Sequence, residues 1–405
     1  MRSARQHGYW EENDMGPTAI VVGAGIAGMA SAISLARTGW HVAVLERSSQ
    51  LSEVGAGFAM TRNAVAAIRG LGFDDADVAA LGHRTWAGGP WDLHGRPILA
   101  LPDTPAMREA VALIGVHRQR LHAALHRRAV DCGVQIVTRA AITTLDPGAA
   151  DGAPAVVAGR EADLVVAADG MRSAVRAALF PHTRLSYSGY SSWRAITPGT
   201  FGDTALRQYW GPHAEFGILR VSADQTYWYG YVAMPERTVL DDELGAARER
   251  FAGWAAPVQE VMAATPPEAV MRHDVHHLPG GLTRYTTGRV VMIGDAAHGT
   301  LPTMGQGAAT ALEDGVCVGL LVGAPVAAGG GLAPALEGFD AARRPRCRAL
   351  ARSSVASGRF GSHLGGGWRQ TLRNGLMRFT PTSAVLRGSH AATGWSPPEP
   401  AAPVR

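Results

Sequence analysis

The sequence Thr18-Ala-Ile-Val-Val-Gly-Ala-Gly-Ile-Ala-Gly28 joins a short apolar run directly to a glycine-rich turn. An apolar run without alternation is typical of a strand that is buried on both faces of a parallel sheet. A helix pattern follows over residues 29–38, and residues 42–45 form a second apolar run that ends at Glu46. The order of strand, glycine turn, helix, strand and acid predicts a complete βαβ unit.

The three glycines of this turn suit a dinucleotide. Gly23 permits the tight turn, Gly25 lets the backbone approach a pyrophosphate, and Gly28 allows close packing of the helix on the strand. The helix N-terminus then presents unpaired N–H groups to the phosphates. Glu46 can accept hydrogen bonds from ribose hydroxyls, and Arg47 follows it. Because a carboxylate repels a 2′-phosphate, we expect the site to prefer FAD or NAD to NADP.

Two later stretches repeat the pattern of a buried strand that ends near an acid. Residues 163–176 contain Asp169 and Gly170 after the apolar run, and residues 288–298 contain Asp295 in the same position. A carboxylate there can bind the hydroxyls of a ribityl chain, while free amides of the following turn bind anionic oxygens. Each stretch taken alone would also suit an ordinary strand–turn–helix connection.

The region between these two stretches has a different pattern. Residues 187–234 are rich in aromatic and β-branched side chains, with antiparallel strands predicted over 206–210, 215–221 and 226–234. A helix is predicted over 241–254. The sequence therefore predicts an α/β fold in which a Rossmann-like FAD-binding domain is interleaved with an antiparallel-sheet substrate lobe.

The predicted domains are discontinuous. The FAD-binding domain takes residues 17–78, 108–182 and 286–360, and the substrate-binding sheet lobe takes residues 79–107 and 183–285. Residues 1–16 are predicted to form a flexible N-terminal extension, and residues 361–405 a C-terminal tail that is helical in parts and frayed at its end.

Composition excludes several classes of protein. The 405 residues include 38 basic side chains, all of them arginine, and 34 acidic ones, so the net charge is +4 without a basic tract. We therefore expect no nucleic-acid partner, and the absence of lysine excludes Walker-type phosphate loops and Schiff-base enzymes. Three cysteines without CxxC spacing predict neither disulfides nor a metal site, and favour the cytoplasm. No apolar run is long enough to predict a membrane span.

The three motifs in this order, with an aromatic sheet lobe before the third, resemble the para-hydroxybenzoate hydroxylase family of single-component, FAD-dependent monooxygenases. The resemblance covers about residues 17–360, and its size class is that of salicylate-, nicotinate- and urate-type hydroxylases. It implies that the first motif holds the ADP half of FAD. The cofactor-binding residues implied in this way are Gly23, Gly25, Gly28, Glu46, Arg47, Arg118, Asp169, Gly170, Asp295, Pro302, Gly305, Gly307 and Ala308.

Several of these residues match individual family motifs. Arg118 matches the arginine of an Arg-x-x-Leu helix start that contacts the cofactor chain, and Asp295 matches the acid on the ribityl chain. Pro302 and the stretch from Gly305 to Ala308 match the loop that faces the flavin ring. Family members often carry asparagine shortly after this loop, where this chain has alanine.

The resemblance implies non-covalent FAD, with NADH or NADPH as a transient co-substrate. It predicts hydroxylation of a small aromatic or heteroaromatic substrate by O2 through a flavin C4a-hydroperoxide. An epoxidase or oxidase on the same fold, and a non-catalytic flavoprotein, are the alternatives. A homodimer is left open, and no catalytic residue is assigned. The candidate substrate-binding residues on the sheet lobe are Tyr190, Trp193, Tyr209, Phe216, Trp228 and Tyr231.

Overall fold

The computed structural model describes residues 16–51 and 56–399. Nearly all of the predicted N-terminal extension, and the end of the predicted tail, lie outside the described residues. In chain order, the strands of the described part are β1 (Thr18–Val22), β2 (His41–Leu45), β3 (Gly57–Thr61), β4 (Gly82–Asp92), β5 (Ala112–His117), β6 (Gln135–Val137), β7 (Leu145–Asp146), β8 (Ala155–Val157), β9 (Arg160–Ala162), β10 (Leu164–Ala167), β11 (Ser186–Pro198), β12 (Leu206–Gly211), β13 (Ala214–Arg220), β14 (Gln225–Ala233), β15 (Met271–His277), β16 (Thr286–Thr287) and β17 (Val290–Met292).

The helices surround two main sheets. They are α1 (Ile26–Ala36), α2 (Arg62–Gly70), α3 (Asp75–Ala80), α4 (Pro105–Ala110), α5 (Arg118–Asp131), α6 (Ala174–Leu179), α7 (Glu243–Arg250), α8 (Ala256–Ala263), α9 (Asp295–His298), α10 (Gly307–Cys317), α11 (Ala324–Ala327), α12 (Leu332–Phe360), α13 (Trp368–Arg378) and α14 (Thr382–Thr393). Short 3-10 turns cover Pro267–Ala269 and Pro302–Met304, and a π-helical segment, Val318–Gly323, joins α10 to α11.

The first sheet brings the three predicted motifs to one edge. Its strand order is β16-β17-β10-β1-β2-β6, and all neighbours are parallel except the edge pair β16–β17. Val22 pairs with both Leu45 and Ala167, and Ala167 pairs with Met292. The C-terminal ends of β1, β2, β10 and β17 are therefore aligned, as ligand binding at the end of a parallel sheet requires. The predicted α/β class is confirmed.

The second sheet has eight strands in the order β15-β11-β14-β13-β12-β4-β5-β3. Strands β3 and β5, which come from stretches predicted in the nucleotide domain, form one edge of this sheet, while Met60 and Val116 on them pack in the core of the nucleotide domain. β5 pairs with both β3 and β4. A strand pattern does not reveal which sheet a strand will join, since pairing is decided by distant residues.

This large sheet has two faces of different character. Its outer face packs on α7 and α8. Its inner face lies towards the loop that precedes Pro302 and the start of α5. Pairing registers place Trp193, Ala195, Thr197, Tyr209, Phe216, Ile218, Trp228 and Val232 on the outer face. They place Ser192, Arg194, Ile196, Gln208, Glu215, Leu219, Tyr227, Tyr229, Tyr231 and His273 on the inner face.

Helix α10 and its continuation run through the core of the nucleotide domain. The stretch Gly307–Ala327 is long and apolar enough to cross a membrane, yet 72% of its most apolar 18-residue window is buried within the protein. A Cβ on Gly315 would lie 2.5 Å from the Cβ of Ala30, so the glycine allows α10 to contact α1 closely. This burial is typical of a core helix.

Candidate active site

The glycine turn after β1 is as tight as its sequence predicts. Gly23 has a φ of +98°, and a Cβ there would lie 2.6 Å from the carbonyl oxygen of Ala168. A Cβ on Gly28 would lie 1.9 Å from the carbonyl oxygen of Gly23. Gly25 is the N-cap of α1 and has no side chain to cover the first amides of that helix. The turn thus leaves the helix N-terminus open to an anion.

Glu46 at the end of β2 supports this turn. One carboxylate oxygen accepts the Ala24 N–H at 2.9 Å, and the other accepts the Ser48 N–H at 2.8 Å. Burial favours the neutral acid, but these hydrogen bonds lower the pKa of Glu46 overall, so that it is charged at neutral pH. Arg47 is exposed beside it, and nothing in the geometry assigns that side chain a cofactor contact.

Asp169 caps α6 and keeps one oxygen without a partner. Its Oδ2 accepts the N–H groups of Ala174 and Val175 at 2.7 and 3.1 Å. Its Oδ1 is buried and has no hydrogen-bond partner among the described residues. Gly170, with a φ of +77°, has open space where a Cβ would point. A buried acceptor beside open space fits a ligand that brings a donor.

Arg176, in the second motif, donates hydrogen bonds to the backbone of the third motif. This contact was not predicted from the sequence. The Arg176 guanidinium donates to the carbonyl oxygens of Asp295 and Ala296 at 3.3 and 3.0 Å. Burial lowers the pKa of Arg176, while the carboxylates of Asp169 and Asp295 oppose that shift. The Asp295 side chain itself is exposed in an otherwise buried stretch, so its carboxylate is free to contact a ribityl chain.

The loop after α9 is shaped by residues without bulky side chains. The backbone of Gly305 adopts the left-handed conformation, with a φ of +62°. A Cβ placed on Gly305 or on Gly307 would have no other atom within 4 Å. Pro302 begins the 3-10 turn and Ala308 lies in the first turn of α10. The N-cap of this helix, Gln306, makes no side-chain capping hydrogen bond, so it does not cover the first backbone amides.

A buried ionic network fixes this loop from behind. Asp314 accepts the Gly294 N–H at 2.9 Å, pairs with His298 at 2.5 Å and binds Arg343 at 2.7 Å. Burial opposes a charge on His298, yet Cys347 and Asp314 raise its pKa, so the imidazole is held protonated. The ligand atoms of His298, Asp314 and Cys347 lie within 4.8 Å of one another. Because Arg343 already neutralises Asp314, we interpret the cluster as a hydrogen-bond network.

Arg118 lies at the first position of α5, where its N–H donates to the carbonyl oxygen of Ala56 at 3.0 Å. The resemblance implies a contact with the cofactor chain, but the structure also brings its charge to the inner face of the large sheet. Burial and the positive charges of Arg194 and Arg118 lower the pKa of His273 to about 3. The same two arginines act on Tyr227. Arg194, His273 and Tyr227 were not predicted from the sequence.

Four of the six predicted substrate residues lie on the outer face. Trp193, Tyr209, Phe216 and Trp228 belong to the outer-face core with α7 and α8. Phe216 stacks on Trp228 with ring centroids 5.2 Å apart, and the Trp228 indole donates to Thr265 at 2.9 Å. Only every second residue of a strand faces a given side, and the sequence pattern did not determine on which side these four residues lie.

The other two predicted residues lie on the side of the flavin loop. Tyr231 is on the inner face, and Tyr190 stacks against it with ring centroids 4.9 Å apart. Both pack with Leu301, which directly precedes Pro302. The Tyr231 hydroxyl and His363 Nε2 are 2.9 Å apart, so these aromatics also contact the segment after α12.

Three hydrogen-bonded polar side chains lie further along the inner face. The Tyr229 hydroxyl donates to Glu215 at 2.5 Å, and the Gln208 amide donates to Glu215 at 2.9 Å. Burial raises the pKa of Glu215, although these hydrogen bonds oppose the shift. The inner face thus combines buried polar groups with aromatic rings, whereas the outer face is a packed apolar core.

These features fit FAD. The glycine turn, the charged Glu46, the unpartnered oxygen of Asp169 and the open space at Gly305 and Gly307 lie along the aligned strand ends. When bound there, FAD supplies hydride transfer and activation of O2.

Comparison with known proteins agrees with this geometry. Residues 17–354 match the protein family described as "FAD binding domain". The chain belongs to this family. It is 36% identical over 387 residues to the aurachin C monooxygenase/isomerase of Stigmatella aurantiaca, a match that covers 91% of this chain and 96% of that protein.

Two further relatives extend this comparison. The chain is 30% identical over 388 residues to the 2-heptyl-3-hydroxy-4(1H)-quinolone synthase of Pseudomonas aeruginosa, covering 91% of this chain and 96% of that protein. The structure of the present chain matches that of Klebsiella pneumoniae HpxO in complex with FAD and uric acid. The TM-score is 0.80 at 26% sequence identity, and the match covers 95% of this chain and 98% of HpxO.

The predicted enzyme class is therefore confirmed. The protein is an FAD-dependent monooxygenase that uses NAD(P)H and O2 to hydroxylate an aromatic or heteroaromatic substrate.

Proposed function

We propose that this monooxygenase hydroxylates a quinolone-type heteroaromatic ring that carries an apolar side chain. The observation that carries the proposal is the combination, on the inner face, of Arg194, Arg118 and His273 with aromatic and aliphatic walls. Two relatives support it, because one is named for a heptyl quinolone product and the other for aurachin C. The residues that we propose to hold FAD are Gly23, Gly25, Gly28, Glu46, Asp169, Gly170, Asp295, Pro302, Gly305, Gly307 and Ala308.

The charges on the inner face suit a ring whose oxygen becomes anionic. Electrophilic oxygen adds to an electron-rich carbon, and loss of a proton from a ring O–H or N–H enriches the ring. The guanidinium groups of Arg194 and Arg118 would stabilise the resulting negative charge in a site of low dielectric. His273, whose pKa is lowered to about 3, is neutral at pH 7 and can accept the hydrogen bond from that O–H or N–H.

The apolar walls of the site suit apolar substituents. Leu219 and Tyr227 pack with Ala56, and Ile196 lies beside them. On the other side of Tyr231, Leu301 and Val355 line a cavity of about 750 Å³ between β15 and α12. We propose that this cavity receives the apolar side chain, while the ring lies near Arg194.

The test is a substrate series with the FAD-loaded enzyme. We would compare 4(1H)-quinolones with 2-methyl to 2-heptyl chains, using urate as an unlike control, and follow NADH and NADPH oxidation with H2O2 counted separately. The product should gain one oxygen atom, and kcat/KM should rise by up to about fourfold for each added methylene that is buried. Equal activity across chain lengths, or preference for urate, would overturn the proposal.

A further inference from the structure

Helix α13 carries a stripe of exposed apolar side chains. Trp368 is 71% exposed, Leu372 53% and Leu376 62%, and Phe379, at the C-cap, is 85% exposed. Spacings of four, four and three residues place all four on one side of the helix. An exposed apolar patch of this kind marks a site of contact with another protein, a ligand or a membrane.

One flank of α13 is fixed to the protein by Arg373, which is buried. Its guanidinium donates to the carbonyl oxygens of Phe360 and Gly361 at 2.8 and 3.1 Å. It also lies over the ring of Trp210, 4.9 Å from the ring centroid. The apolar stripe is therefore held outwards by contacts at the end of α12, and rotation of the helix to bury the stripe would break them.

The charged residues in the chain segment around α13 are all positive. Between Asp340 and Glu399 the chain has ten arginines and no acidic residue. Within 16–51 and 56–399, no ion pair is recorded for the five exposed arginines, which are Arg352, Arg359, Arg369, Arg378 and Arg387. On the helical projection, Arg369 and Arg378 flank the apolar stripe on its two sides. Such a surface complements an anionic one.

We propose that α13 docks this enzyme on the surface of an anionic lipid bilayer. The apolar stripe enters the boundary between headgroups and acyl chains, and the flanking arginines bind lipid phosphates. An amphipathic helix that lies in the interface needs this combination of an apolar side and cationic flanks, and does not span the membrane.

The docked surface leads towards the active site. Trp368 and Arg359 line a second cavity of about 520 Å³, and both Arg359 and Leu301 line the 750 Å³ cavity. A substrate with an apolar chain could pass from the bilayer along this path. This delivery step rests on the proposed function, whereas the docking itself does not depend on any substrate.

Flotation of the full-length, FAD-loaded enzyme with lipid vesicles tests the docking. We compare vesicles of phosphatidylcholine with vesicles of equimolar phosphatidylcholine and phosphatidylglycerol. The partition coefficient should be at least about tenfold higher on the anionic vesicles and should fall with added salt. The variant L372S/L376S/F379S, and separately R369E/R378E, should lose about tenfold or more of this partitioning.

The control variant is Val239→Ser, which removes an apolar side chain that is 87% exposed on the sheet lobe. It should float as the wild type does, and all variants should keep their flavin content. Three results would overturn the proposal: no flotation of the wild type, equal partitioning on neutral and anionic vesicles, or a homodimer that the triple serine variant converts to monomers. Failure of the quinolone series would leave the flotation result unaffected, so the two proposals fail separately.

Discussion

The two faces of the large sheet contain similar numbers of aromatic residues but use them differently. On the outer face Trp193, Phe216 and Trp228 pack into a core with α7 and α8. On the inner face Tyr227 and Tyr229 lie among buried charged or polar groups. Aromatic content therefore does not distinguish the two faces, whereas buried polar groups accompany the aromatic rings only on the inner face, which is the face that we propose for the substrate.

The largest expected effect is the loss of folding stability that follows a substitution on the outer face. Trp228→Ala should lower the free energy of unfolding by about 3–5 kcal/mol, because it leaves a cavity under α8 and removes the hydrogen bond to Thr265. Urea unfolding measures this. Trp228→Phe should restore much of the loss, and the folded fraction of either variant should keep its kcat. A large drop in kcat without loss of stability would place Trp228 in the active site.

A substitution on the inner face should instead lower activity and leave folding stability nearly unchanged. Arg194→Met should lower kcat/KM by about a hundredfold, since a charge that stabilises the reacting ring is removed, while the melting temperature changes little. The matched control is Arg207→Met on the outer face, where the arginine pairs with Asp203. Equal losses of kcat/KM in both variants would break the comparison between the faces.

A change in the nucleotide domain should affect neither face. Asp295→Asn should weaken FAD binding by about tenfold or more, because a charged acceptor for ribityl hydroxyls becomes a neutral amide. Flavin fluorescence released on dilution measures this, with the exposed Asp151→Asn as control. Wild-type FAD affinity would show that Asp295 does not contact the cofactor.

The smallest effect concerns pH. Burial raises the pKa of Glu215 above its ordinary value of 4.5, so its contribution to stability is present below pH 4.5 and is lost as pH rises through the raised pKa. Glu215→Gln should therefore gain stability relative to the wild type as pH increases from 4.5 towards neutrality. Chemical unfolding at several pH values measures the difference. A difference between Glu215→Gln and the wild type that stays constant with pH would contradict burial as the cause.

The nucleotide domain could be predicted because local sequence decides it. Gly23, Gly28 and Glu46 act within one βαβ unit, where a turn, a close approach and a strand end each demand a residue type. Asp169 and Asp295 follow the same rule at the ends of β10 and β17. The fold class and cofactor were therefore accessible from motifs alone.

The substrate face could not be predicted in the same way. Strand parity decides whether Trp228 or Tyr227 lies on the inner face, which is the face that we propose for the substrate, and this parity depends on pairing with distant strands. The positions of Arg194 and His273 beside Arg118 depend on how the two sheets meet. A useful signal was present in the alternation of Tyr227, Tyr229 and Tyr231 along one strand, since three hydroxyls on one face are unusual for a packed core.

The most direct test of this account is a crystal structure of the FAD-loaded enzyme with the best substrate of the quinolone series. We expect the ring to lie on the inner face, within hydrogen-bond distance of Arg194 or His273, with its chain directed past Leu301. A ring bound between Trp228 and α8, or on any surface away from Arg194, would contradict it.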